Sequence, residues 1–273
     1  MKDGNDSQTA IKWVVFLSFM GLWAGGASAT EFSALEKQLA RIRFSERGKD
    51  VNLPTFEARC LELLVDHNSP SEKGKIYATM TLMYAEKGFI SAQDPRVAKT
   101  IRYARKSLEQ PLDVLAGCEM YSRWAGGLIA QSRNYSESHF SEQRSKTIQV
   151  CLKGLKLALD NGAPAERPQP PEPVFRLHMS MDTEGYEPLK AEREQRVQAW
   201  EEYELLSDLF LVRWSLERNC VTLYTRRPYN TEEFVQQASK LLGDYDDAVA
   251  AVLAEIEKGI AFNRSLLAPP TRN

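Results

Sequence analysis

Apolar residues spaced three and four positions apart recur along almost the whole chain, and this spacing limits the fold more than any other feature. Phe32, Leu35, Leu39 and Ile42 mark a short first helix. After the break at Asn52-Leu53-Pro54, a second runs from Phe56 to His67 with Phe56, Cys60, Leu63 and Leu64 on one side. A third follows Asn68-Ser69-Pro70-Ser71, with Ser71 as its cap. It turns Ile76, Met80, Met83 and Tyr84 inward and stops at Gly88. Asp94-Pro95 then supplies an N-cap and an N1 proline for a helix whose stripe is Val97, Ala98, Ile101, Ala104 and Leu108, ended by Pro111. Residues 112–131 and 142–160 read as helices separated by a polar loop, the second closed by Asn161-Gly162. No run of alternating β-branched or aromatic residues bounded by hairpin turns competes. The expected fold is all-α, built of antiparallel helical hairpins.

One stretch departs from the pattern. Pro164, Pro168, Pro170, Pro171 and Pro173 crowd into residues 162–189, and proline at that density removes too many backbone donors for helix or sheet. Periodicity then returns in one long helix, approximately residues 189–224, through Trp200, Leu206, Phe210 and Cys220. Asn230 or Thr231, with Glu233 near N3, resembles a capping box opening the first of two shorter helices. The organisation expected is a leader at 1–29, a hairpin region at 30–161, a proline-rich connection at 162–189, C-terminal helices at 190–262 packed on the hairpins, and a tail at 263–273. Leu205, Leu206, Leu209, Phe210 and Trp214 present the apolar face for that packing.

The leader reading rests on Lys2 and Lys12, a short apolar core from Trp13 to Ala24, and the small residues Ala27-Ser28-Ala29 before Thr30. It predicts cleavage after Ala29 and a secreted or periplasmic chain with no membrane span after cleavage. The whole chain balances 35 Lys and Arg against 37 Asp and Glu. The leader carries two of each sign, so its removal leaves the balance unchanged and provides no overall attraction to nucleic acid. In an oxidising compartment Cys60, Cys118, Cys151 and Cys220 have three possible two-bridge connectivities; the alternative is four small buried hydrophobes. No cysteine has a second ligand at zinc-binding spacing, and no cofactor is expected.

Few side chains suggest a site. Arg96, Lys99, Arg102, Arg105 and Lys106 form a basic ridge opposite an apolar stripe, suited to an acidic or phosphate-bearing partner or simply to water. Arg226-Arg227-Pro228-Tyr229 places two guanidiniums and an aromatic ring in one turn, which suits carboxylate recognition or interhelical ion pairing. Ala125-Gly126-Gly127 lacks the preceding strand and following Lys-Ser/Thr of a phosphate loop and reads as close helix packing or a kink. His67, His139 and His178 are isolated, and His67 suits a helix C-terminus. The carboxylates Glu192, Glu194, Glu201, Glu202 and Glu204 alternate with arginines as a solvated face does.

Residues 74–111 resemble one degenerate tetratricopeptide-type hairpin. Tyr77, Met80, Tyr84 and Gly88 fall on the first helix, and Ala98, Ile101, Ala104, Leu108 and Pro111 on the second. Thr81 stands where that family has a small residue, and residues 89–94 make a longer turn. More widely, the chain is similar to exported bacterial helical proteins of unassigned function. The resemblance implies a surface for a protein or peptide. The expectation is a noncatalytic interaction or scaffolding module, set against an enzyme with a dispersed Glu/Arg/Tyr site or a structural envelope component.

Overall fold

The computed structural model describes residues 35, 37, 39, 52–86, 89, 91–132, 137–171, 186–225 and 231–267. Among them every regular element is helical: α1 (Leu53–Asp66), α2 (Pro70–Ala85), α3 (Pro95–Leu108), α4 (Val114–Gln131), α5 (Glu137–Asp160), α6 (Tyr186–Thr225), α7 (Glu232–Leu241) and α8 (Asp246–Leu267). Helices adjacent in sequence pack side by side from α1 through α5, and α7 lies against both α5 and α8. The fold is therefore all-α with hairpin packing. None of these helices is long and apolar enough to cross a membrane. Of the first expected helix, Leu35 and Leu39 are helical and buried.

The helix starts follow from local chemistry. Asn52 accepts from the Thr55 amide at 3.2 Å, and Asp113 from the Ala116 amide at 2.8 Å, each satisfying a first-turn donor that has no intrahelical partner. Asp94 caps α3 with Pro95 in its first turn, as its sequence predicts. At α2 the expected cap Ser71 is displaced by Ser69, whose hydroxyl accepts from the Glu72 amide while the Glu72 carboxylate reaches back to the Ser69 amide. Pro70 at N1 makes that earlier start compatible. Of the two cap candidates before α7, Thr231 makes no side-chain cap bond, and Asn230 lies outside the described residues. Glu233 takes the Arg144 guanidinium of α5, Nε to Oε2 at 2.8 Å. Helix α5 begins at Glu137, a turn earlier than the polar sequence suggests, with Phe140 buried in its first turn.

The chain divides into two compact units. Residues 31–161 and 212–273 fall in the larger, residues 162–211 in the smaller, so α6 is shared between them. The larger holds one core in which Leu128, Ile148, Leu152 and Leu155 of α4 and α5 meet Cys220, Leu223 and Tyr224 of α6, Phe234 and Ala238 of α7, and Val252 and Ile256 of α8. In the smaller, Trp200 and Tyr203 meet edge to face at 5.4 Å. On α6 Leu209 is buried, and Leu205 and Trp214 are each about half exposed, at 51% and 49%. Gly162, at φ 77°, closes α5 in the left-handed region that the Asn161-Gly162 pair predicts.

Candidate functional site

Helix α3 buries only part of the stripe its apolar residues suggest. Val97, Thr100, Tyr103, Ala104 and Ser107 face inward, while Ala98 is exposed and Ile101 half-buried. Two of the polar residues are accommodated by partners on neighbouring helices. The Ser107 hydroxyl donates to the Gly74 carbonyl of α2 at 2.8 Å, and the Tyr103 hydroxyl donates to Glu57 of α1. A buried polar group so satisfied no longer opposes burial. The rotation leaves apolar atoms of α3 at the surface.

Those atoms floor a groove of about 390 Å³ lined by Ala98, Ile101, Arg102, Arg105, Lys106, Glu109 and, from the end of α4, Gln131. Each cation of its wall rests over an aromatic ring. Arg102 lies 5.6 Å from the Tyr103 centroid, Arg105 5.8 Å from Trp124 and Lys106 5.1 Å from Tyr77. Seating over a ring restricts each cation without neutralising it. Among the described residues these three pair with no carboxylate. Arg105 and Lys106 also occupy the last turn of α3, where the carbonyl end of a helix favours positive charge.

The other two residues of the basic ridge are committed elsewhere. Arg96 is held by its own helix cap, Nη2 to Asp94 Oδ2 at 2.5 Å. Lys99 donates to Glu57 Oε1 at 2.6 Å and Oε2 at 2.9 Å. Arg226, Arg227 and Tyr229 lie outside the described residues, as do the leader, His178 and the His139 side chain.

Glu57 is the polar centre that inspection of the sequence overlooks. Its side chain is 13% exposed and takes Lys99, Tyr103 and, at 2.7 Å, Tyr84. Burial alone raises a carboxyl pKa, but here the hydrogen bonds from Lys99, Tyr103 and Tyr84 outweigh it and hold Glu57 near 2. Tyr84 and Tyr103 move the other way, raised by burial and by the carboxylate they serve. Both rings stack, 6.0 Å apart. The cluster is thus an ionised knot with its acceptor positions filled, joining α1 to the α2–α3 hairpin, rather than a proton-transfer group poised near neutral pH. The available signal was position: Glu57 follows buried Phe56 and precedes buried Cys60 by three on the same helix side.

The remaining candidates are local. His67 ends α1, and its Nδ1 lies 2.8 Å from Glu72 Oε1. Glu192, Glu194, Glu201, Glu202 and Glu204 are exposed, the first paired with Arg196. All four cysteines are buried and free; burial pushes the Cys60 and Cys118 thiols up to about 12. Gly127 meets Ile101 closely, whereas Gly126 beside it faces open space. No protein-family model, curated protein or solved structure matches the chain.

Proposed function

We propose that this chain is an exported interaction or scaffolding module that binds an acidic, partly apolar segment of another protein in the groove along α3. The observation that carries this reading is the groove itself: an apolar floor of Ala98 and Ile101 beside three cations, each seated on a ring and each without a carboxylate partner among the described residues. Carboxylates alternating with leucine-sized side chains match both halves of that surface. The α2–α3 hairpin is read as a degenerate tetratricopeptide-type unit, supported by the burial of Met80, Tyr84 and Ala104 at the positions that carry the resemblance. Export rests on the Ala27-Ser28-Ala29 site, which lies outside the described residues.

Two measurements test the reading. Fluorescence anisotropy with a labelled Glu/Leu-rich peptide should show binding that weakens as salt rises. A Gln-for-Glu twin should bind at least about tenfold more weakly, and so should the Arg102→Glu/Arg105→Glu variant with the original peptide. Equal binding of the two peptides, or an unaffected double variant, rejects the groove. Intact mass of protein from its native host should show a chain beginning near Thr30; a full-length chain rejects export by cleavage.

A further inference from the structure

Charge along α3 is settled at one end and open at the other. In the N-terminal half, Arg96 is held by Asp94 and Lys99 by Glu57. In the C-terminal half, Arg102, Arg105 and Lys106 line the groove, and so does Glu109, the exposed residue that follows the last turn. The Glu109 N–H donates to the Arg105 carbonyl at 3.1 Å, so its backbone continues the helix. Glu109 lies four residues beyond Arg105 and three beyond Lys106, the two spacings at which opposite charges on a helix ordinarily pair. Among the described residues neither pair forms. Each cation takes an aromatic ring of a neighbouring helix instead, Arg105 that of Trp124 on α4 and Lys106 that of Tyr77 on α2. The groove therefore presents both signs of charge to whatever enters it.

Those charges have an order. Ala98 and Ile101 come first along α3, the three cations next and Glu109 last. At 1.5 Å per residue the series spans about 16 Å, and Glu109 stands about 6 Å beyond Arg105. Two residues of an extended segment, or one turn of a helical one, cover that last step. A uniformly acidic segment would meet the cations well and then set a like charge against Glu109. We infer that the groove, read as the docking site for a protein segment, takes one in which apolar, acidic and basic groups follow in that order, the lysine or arginine resting on Glu109. Glu109 is then the specificity-determining residue, and the order is the same whichever way the partner chain runs. A polyanion without a cation, such as a nucleic acid, satisfies only the middle of the surface.

The test compares two labelled peptides of identical composition and net charge, Leu-Leu-Glu-Glu-Lys-Lys and Leu-Leu-Lys-Lys-Glu-Glu, by fluorescence anisotropy on the full chain at about 0.15 M salt, where screening leaves near neighbours dominant. The first should bind the wild type at least about fivefold more tightly. Glu109 is exposed, so Glu109→Gln should keep its thermal midpoint. In that variant the gap between the peptides should narrow by at least about twofold, and in Glu109→Lys further still. Equal binding of the two isomers, or a gap that neither variant narrows, overturns the inference. The groove itself is judged separately: if Arg102→Glu/Arg105→Glu still weakens the first peptide, only the charge order has failed. Failure of either peptide to bind, or binding that the double variant leaves unaffected, rejects the docking site and the order with it.

Discussion

At the scale of single residues, Glu57 is the position where chemistry and stability are most tightly linked. Its carboxylate is the shared acceptor for Lys99, Tyr84 and Tyr103, which come from two helices other than its own. Removing it leaves an ammonium and two phenol hydroxyls short of their partner. Glu57→Ala should therefore destabilise the fold by about 3 kcal/mol, measured as a shift in the urea midpoint. The pH dependence has a definite sign. Because the folded pKa is depressed from 4.5 to about 2, the stabilisation is fully present above the unfolded value and disappears as pH falls from about 4.5 to about 2. Stability should drop through that window in the wild type and less steeply in Glu57→Gln. Parallel acid limbs for the two proteins would remove Glu57 from the account. The groove cations belong to the same scale but differ: Glu57 has its acceptor positions filled inside the fold, whereas Arg102, Arg105 and Lys106 pair with no carboxylate among the described residues.

At the scale of elements, adjacent glycines in α4 separate propensity from packing. At Gly126 an added Cβ meets nothing within 4 Å, so Gly126→Ala should stabilise the protein by about 0.5 to 1 kcal/mol through reduced unfolded-chain entropy and better helix propensity. At Gly127 the same atom would sit 2.8 Å from the Ile101 Cγ1. Ile101 is stiff at χ1, so α3 must move away, and Gly127→Ala should cost about 1 to 3 kcal/mol. Because Ile101 also floors the groove, this variant should weaken the acidic peptide while Gly126→Ala leaves it unchanged. Thermal melts of the two variants decide the matter, and equal midpoints would show that the α3–α4 contact does not depend on Gly127. The Gly-Gly pair thus reads as close packing at one residue and as free surface at the next. No local rule distinguishes them, since both are glycines in the middle of one helix.

At the scale of the whole molecule, the larger unit is assembled from chain on both sides of the proline-rich connection. Ile148, Leu152 and Leu155 share a core with Leu223, Phe234, Val252 and Ile256. Two polar bonds reinforce the join: Gln237 Nε2 donates to Ser145 Oγ at 2.9 Å, and the Tyr245 hydroxyl donates to Asp160 Oδ1 at 2.8 Å. Glu166 and Arg167, between these segments, are exposed. A Glu-specific protease should cut after Glu166, and the two fragments should stay together in gel filtration with reductant present, separating only in denaturant. Clean separation of two folded halves under native conditions would contradict the shared core. What the sequence determined by itself was local in origin. The helical period, the prolines at helix starts, the Asp94 cap and the glycine closing α5 each depend on residues within a turn of one another, so a linear reading reaches them. It also placed Ile76, Met80, Cys151, Leu152 and Ile256 in the interior, because one-sided apolar spacing leaves little choice of face. Tertiary structure decided the rest. Which arc of α3 turns inward depended on Gly74 and Glu57, distant in sequence, offering partners to Ser107 and Tyr103. Glu233 pairs with Arg144 of another helix, a partner the spacing within its own helix does not reveal. Ser107 and Tyr103 are buried with partners on other helices, and such partners are fixed by the packing of separate helices rather than by the spacing within one.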